Sequence, residues 1–281
     1  MKIAALGDIH GNYQALISVL EDVEDWQPDL VLVGGDIVNR GPRSKDCYHL
    51  IRKESTDPNW HVIKGNHERY VLNFEDPSFS REGVDFALRQ VIFWTYRSLT
   101  RQDLDELTQL PTAIKIDLPG LGLVQAAHAS TAGERIGIYP STSNSQLADL
   151  IPEAARLFVV GHTHQPLVRT LGDTLVVNTG SVGLPFDGDT RAAYARLTYQ
   201  KDAWQATITR VAYDLKTAEQ DFIDSGFIPE GGPLADLILV ELQLGWPQLG
   251  KWFRVYEIPV REEKISLEKA VYEFLKNPNI E

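Results

Sequence analysis

Residues 3–36 read IAALGDIHGNYQALISVLEDVEDWQPDLVLVGGD, and the pattern inside them sets the fold. Ile3 to Leu6 is a short apolar run ending in Gly7-Asp8, and Leu30 to Val33 is a second one ending in Gly34-Gly35-Asp36. Between them Leu16, Val19, Leu20 and Val23 recur at helical spacing behind an N-cap at Asn12, and Pro28 stands beyond the helix end. A third run, His61 to Ile63, leads into Gly65-Asn66, and Ser44 to Lys53 supplies the helix before it. The chain therefore opens on consecutive parallel βαβ units.

Further along, Asp85 to Leu110 is helical in character, with Leu88, Val91 and Ile92 on one face and Pro111 as a stop. Strands follow in pairs. Ile114 to Leu118 and Leu121 to Ala126 flank Pro119-Gly120, and Leu167 to Leu171 and Leu175 to Val177 straddle Gly172-Asp173. Leu157 to Val160, Ala192 to Leu197 and Trp204 to Val211 complete the set. Residues 1–213 thus read as an α/β domain, two β-rich layers with helices outside. Residues 214–281 read as a C-terminal helical extension: a helix at Lys216 to Ser225, a break at Pro229 to Pro233, then a second apolar helix. No chemical motif lies in it, so its expected role is to cap the core or to pair with a second copy of the chain.

The bulk composition is that of an ordinary globular protein: 281 residues, 43% hydrophobic and 23% charged. That excludes collagen-like, disordered and membrane-spanning classes. A net charge of -12 disfavours an extended nucleic-acid surface or an anionic membrane as partner. The single Cys47 can form neither an internal disulfide nor a thiolate metal cluster. The opening Met-Lys-Ile-Ala-Ala-Leu-Gly-Asp has no basic stretch leading into a long apolar run, which gives the expectation of a cytoplasmic protein.

The chemistry sits in five segments, each just after an apolar run. They are Gly7-Asp8-Ile9-His10, Gly35-Asp36 with Asn39-Arg40 behind it, Gly65-Asn66-His67-Glu68, Ala127-His128 and Gly161-His162-Thr163-His164. In an open α/β sheet, loops at the carboxyl ends of the strands line the crevice where ligands bind, so the five converge. Their mixture of hard oxygen and borderline nitrogen donors suits Mn, Fe, Zn or Ni better than Ca. Asp8, His10, Asp36, Asn66, His128, His162 and His164 make seven donors, too many for one small ion site. Two ions sharing a bridging Asp36 would fit, as in centres that grip both oxygens of an in-line phosphoryl displacement. Taken singly, Asp8 or Asp36 would be an ordinary turn residue, and His128 in an undistinguished stretch could be a buried structural histidine. His49 and His61 lack partners in the pattern and read as structural. Asn12 reads as the cap of the first helix.

Asp-x-His, Gly-Gly-Asp, Gly-Asn-His-Glu, an isolated His and Gly-His-x-His in this order resemble the calcineurin-like metallophosphoesterase superfamily, over residues 3 to about 198. The resemblance implies a four-layer α/β/β/α fold and a phosphoesterase acting on a small phosphoester by attack of a metal-bridging hydroxide. It implies one ion on Asp8, His10, Asp36 and His164 and a second on Asp36, Asn66, His128 and His162. Manganese is the foremost candidate, with Fe, Zn, Ni or Co as alternatives. His67 corresponds to the residue that contacts the phosphate and protonates the leaving oxygen, and Arg40 to the arginine that grips phosphate oxygens. Residues 34 to 68 are similar to the bacterial phosphoprotein phosphatase group, which includes diadenosine tetraphosphate hydrolases. Gly161-His-Thr-His-Gln-Pro with Asn178-Thr-Gly-Ser is instead similar to small phosphodiesterases of the superfamily, which have Pro where Thr179 stands. Monoesters, diesters, dinucleoside polyphosphates and phosphoproteins all stay open, as does a non-catalytic scaffold of the same fold. Where the phosphatase group has an Asp before its arginine, oriented to hydrogen-bond the histidine, this chain has Asn39, which cannot stabilise an imidazolium as a carboxylate does. Substrates with good leaving groups are the expectation.

Overall fold

The computed structural model describes residues 1–277. The opening units form as the spacing implies: β1 (Lys2–Leu6), α1 (Tyr13–Trp26), β2 (Leu30–Val33), α2 (Ser44–Glu54) and β3 (Trp60–Val62), the three strands parallel and adjacent. Asn12 accepts the Ala15 N–H and caps α1, while Gln27, in the left-handed conformation, ends it just before Pro28. After α3 (Asn66–Leu72), the stretch read as helical in character from Asp85 to Leu110 is helical, divided into α4 (Gly83–Ala87), α5 (Gln90–Ser98) and α6 (Arg101–Gln109). A local cap overrides the periodicity. Leu99 turns extended, the Thr100 hydroxyl accepts from the Asp103 N–H, and the Asp103 carboxylate accepts from the Thr100 N–H, which starts a new helix.

β4 (Ala113–Leu118) and β5 (Gly122–Ala127) form a hairpin, α7 (Asn144–Leu150) follows, and then come β6 (Leu157–Val160), β7 (Leu167–Leu171), β8 (Thr174–Asn178), β9 (Ala192–Gln200) and β10 (Ala203–Val211). Two five-stranded sheets result, in the orders β10-β9-β1-β2-β3 and β4-β5-β6-β8-β7. Strand alternation stacks them. Ile3 and Ala5 of β1 face an inner layer shared with Val124, Leu157, Val159 and Val177 of the other sheet. Ala4 and Leu6 face outward onto Leu16, Val19 and Cys47 of α1 and α2. On the far side, Phe158, Val160 and Val176 cover Leu147 of α7. Helix, sheet, sheet, helix is therefore the layer order.

Beyond Tyr213 come α8 (Leu215–Asp224), α9 (Phe227–Gly231), α10 (Leu234–Leu244), α11 (Leu249–Arg261) and α12 (Leu267–Lys276). The expected break at Pro229–Pro233 is in part the helix α9. Pro229 falls in its first turn, where backbone N–H groups have no helical partner to lose, and Gly232 with φ +76° ends it. These helices pack on the chain itself: Phe222, Phe227, Ile238, Trp252 and Phe274 join Val91 and Trp94 of α5 and Leu184 and Phe186 in a second apolar core. No helix among the described residues is long and apolar enough to cross a membrane.

Trp252 is fully buried in that second core. Trp252→Ala should destabilise the protein by about 3–5 kcal/mol, read as a fall in the urea midpoint with little change in slope.

Candidate metal centre

β1, β2 and β3 run parallel in one sheet, and β5, β6 and β8 run parallel in the other. Their carboxyl ends deliver the five segments to one edge of the sandwich, where ligands of open α/β sheets bind. The first sheet contributes Asp8 and His10 from the loop after β1, Asp36 from the loop after β2, and Asn66 and His67 at the start of α3. The second contributes His128 after β5 and His162 and His164 after β6.

Two donor groups form around one carboxylate. In the first, His164 Nε2 lies 3.3 Å from Asp8 Oδ1 and 3.1 Å from His10 Nε2, which is itself 3.7 Å from Asp36 Oδ2. In the second, His128 Nε2 lies 3.2 Å from the same Asp36 oxygen and 2.9 Å from Asn66 Oδ1, with His162 grouped beside Asp36 and His128. All seven expected donors are thus together, and Asp36 stands between the two groups. His67 is at the margin, Nε2 4.0 Å from Asp36 Oδ2.

The hydrogen bonds of the rings show what the cluster requires. His164 donates Nδ1–H to the Leu184 carbonyl at 2.6 Å, and His128 donates Nδ1–H to the Gly34 carbonyl at 2.8 Å. Each neutral ring therefore presents an Nε2 lone pair. Those lone pairs face other acceptors, carboxylate or amide oxygens, at about hydrogen-bond distance. Asp8 Oδ1 and His10 Nδ1 are buried with no hydrogen-bond partner among the described residues. Acceptors aimed at acceptors in a buried site call for cations between them, and ring N–H groups anchored on backbone carbonyls are how metal-binding histidines are oriented. The donor set fits divalent transition-metal ions. With no cation between the acceptors a proton takes that place: although burial opposes it, the Asp36 carboxylate and its hydrogen bond raise His128 to about 10, which charges the ring. Burial and the charge on His128 push His162 down to about 4.

The backbone is bent to this purpose. Eleven non-glycine residues among those described have positive φ, and Asp8, His10, Asp36, Asn39, Arg40, His162 and His164 are seven of them. Left-handed backbone is unfavourable for such residues and persists where surrounding contacts impose it. Glu68 imposes it on the second loop. Fully buried, it accepts from the N–H groups of Asp36, Ile37, Val38 and Gly65 at 2.7–3.1 Å. Asn178 does the same for the His162 loop, donating to the Gly161 carbonyl and the Thr163 hydroxyl at 2.8 Å each. Ser181 donates to the Asp8 carbonyl at 2.6 Å. The sequence pattern contains these residues without revealing their role. Only Glu68 carries a signal, its place three residues into a helix after Gly65, where a carboxylate reaches back to cap.

Two further positions make contacts that the sequence pattern does not announce. Arg40 is held from behind: its Nη2 donates to Glu241 Oε2 of α10 at 2.8 Å, and its guanidinium lies over Phe186. The other Glu241 oxygen accepts the Gln248 and Leu249 N–H groups at 2.8 Å, so the carboxylate is fully committed. Nothing in the sequence pairs positions 201 residues apart. His49 is not without a partner, since its Nε2 lies 2.8 Å from Asp103 Oδ1.

Comparison with known proteins matches residues 1–202 to the calcineurin-like phosphoesterase superfamily domain. The chain is 29% identical over 236 residues to the uncharacterised protein MJ0912 of Methanocaldococcus jannaschii, spanning 79% of this chain and 91% of that one. It is 27% identical over 199 residues to serine/threonine-protein phosphatase 2 of Escherichia coli K12, spanning 64% of this chain and 87% of the relative. Among solved structures, a metallophosphoesterase from Sphaerobacter thermophilus is similar with a TM-score of 0.67 at 26% identity, over 87% of this chain and 100% of that one.

Glu68→Gln keeps the size of the side chain but turns a donor amide toward N–H groups that need acceptors. It should destabilise the fold by about 3 kcal/mol, seen as a fall of about 6–12 °C in Tm.

Proposed function

Because the chain belongs to the calcineurin-like phosphoesterase superfamily, we propose that it hydrolyses small phosphomonoesters or phosphodiesters, with two divalent transition-metal ions, manganese foremost, as cofactor. The observation that carries this reading is the pair of donor groups sharing Asp36, whose lone pairs face one another in a buried pocket. Asp8, His10, Asp36 and His164 would hold one ion, and Asp36, Asn66, His128 and His162 the other. Ions bound there would supply a hydroxide at neutral pH and positive charge against the phosphoryl oxygens. The completeness of the donor set favours an enzyme over a non-catalytic scaffold.

The chain's own groups then divide the remaining work. Arg40, oriented by Glu241, presents a guanidinium to the phosphoryl group, and its buried Nε has no partner among the described residues. His67 is kept neutral: burial lowers it to about 3, with Arg40 adding to the effect and Asp36 opposing it. The Asn39 amide lies 2.7 Å from His67 Nδ1 and donates to it, so the neutral ring carries its proton on Nε2, the nitrogen on the Asp36 side. Such a ring gives a hydrogen bond to the departing oxygen but cannot transfer the proton without becoming an imidazolate. Esters whose leaving group departs unprotonated, such as aryl phosphates, are the matching substrates.

Protein supplied with Mn should hydrolyse 4-nitrophenyl phosphate or bis(4-nitrophenyl) phosphate, and EDTA should abolish the activity. Asp36→Asn should reduce kcat by about 100-fold or more and lower the Mn bound per chain in equilibrium dialysis; full activity in that variant would overturn the assignment. Asn39→Asp places a carboxylate against Nδ1 and allows an imidazolium, so the ratio of kcat on an alkyl phosphate to kcat on an aryl phosphate should rise about tenfold.

A further inference from the structure

Beside His67 and Arg40 opens a cavity of about 530 Å³, within the range of small-molecule sites. One wall is built by Tyr70, Phe79 and Ile92, and the other by Leu234, Ile238 and Phe253 of α10 and α11. The second wall thus comes from helices beyond the residues matched to the superfamily domain.

Charge singles this cavity out. Four arginines and one glutamate line it, in a protein of net charge -12. Arg40 is neutralised by Glu241, and Arg261 by Asp85 and Glu257. Arg89 and Arg135 have no carboxylate partner among the described residues. Each lies over an aromatic ring instead, Arg89 on Phe79 at 4.7 Å and Arg135 on Tyr70 at 5.9 Å from the ring centroid. Tyr70 in turn meets His67 edge-on, with ring centroids 5.2 Å apart. Flat faces, apolar walls and two arginines outside any ion pair among the described residues therefore lie beside His67.

We propose that this cavity is the subsite for the substrate's organic part, and that the substrate is a phosphoester of an aromatic body bearing a second anionic group, which Arg89 and Arg135 receive. The inference rests on the phosphoesterase reading above. Apolar burial of the ring stabilises the bound ester, and the planar guanidiniums suit an anionic group or a ring face.

The test uses the Mn-loaded enzyme and three aryl esters of similar leaving group: phenyl phosphate, 1-naphthyl phosphate, and a naphthyl phosphate with a sulfonate on its far ring. The expected kcat/KM rises about tenfold from the first to the second and about fivefold more to the third. The double variant Arg89→Ala/Arg135→Ala should lose the second increase. Independently of turnover, binding of naphthalene-2,6-disulfonate to metal-free protein, read from the ligand's fluorescence, should weaken about fivefold or more in that variant. Hydrolysis of all three esters at equal kcat/KM, or disulfonate binding unchanged by the double variant, would overturn the subsite. No hydrolysis of any ester, with disulfonate binding still dependent on the two arginines, would overturn the reaction while supporting the subsite.

Discussion

A single buried carboxylate organises the edge of the sandwich where the donors gather. Glu68 takes four backbone N–H groups from two loops, those after β2 and β3, and fixes the path on which Asp36 and Asn66 stand. This arrangement is electrostatically demanding. Burial and the neighbouring Asp36 charge raise Glu68 to about 7, even though its N–H contacts favour the ionised form. Asp36 itself stays well below the usual carboxylate range because, against burial, the charge of His128 and its hydrogen bond hold it down. The loops are thus shaped by negative charge that the protein only partly compensates, and bound cations would complete the compensation.

The imposed geometry explains why so many donors have left-handed backbone. A strand leaving a sheet in its ordinary conformation sends successive side chains to opposite faces. Turning Asp8, Asp36 and His164 toward one point demands a sharp change of direction immediately after the strand, and glycine would meet it without strain but would carry no donor. Contacts from Glu68, Asn178 and Ser181 hold the strained residues in place, so the donor positions are fixed before any ligand arrives.

Much of this was legible in the sequence. Gly-Asp and Gly-Asn steps after apolar runs located the strand ends, because such steps both stop a strand and offer a donor, and all seven donors come together in space. Two of the three β-hairpins were legible from Pro119-Gly120 and Gly172-Asp173, where local turn chemistry decides the structure; the β9–β10 turn at Lys201-Asp202 carries no such signal. What escaped depends on capping or on distance. The Thr100–Asp103 cap divides a stretch whose apolar spacing reads as continuous. Pro229 looks like a breaker but sits where a helix tolerates it. The contact of Arg40 with Glu241 joins two ends of the chain through packing of α10, which no local pattern encodes.

The two donor groups each draw from both sheets: Asp8 and His10 meet His164, and Asp36 and Asn66 meet His128 and His162. The seam between the layers therefore passes through the centre, and the apolar filling of the sandwich acts as a spacer gauge. Ile3, Leu32, Val159 and Leu197, which bear no donor, set how far apart the halves of each donor group stand. Close-packed interiors transmit a change of one methylene rather than absorb it. A substitution within the thickness of the interlayer core can thus change the spacing inside each donor group without altering a single donor.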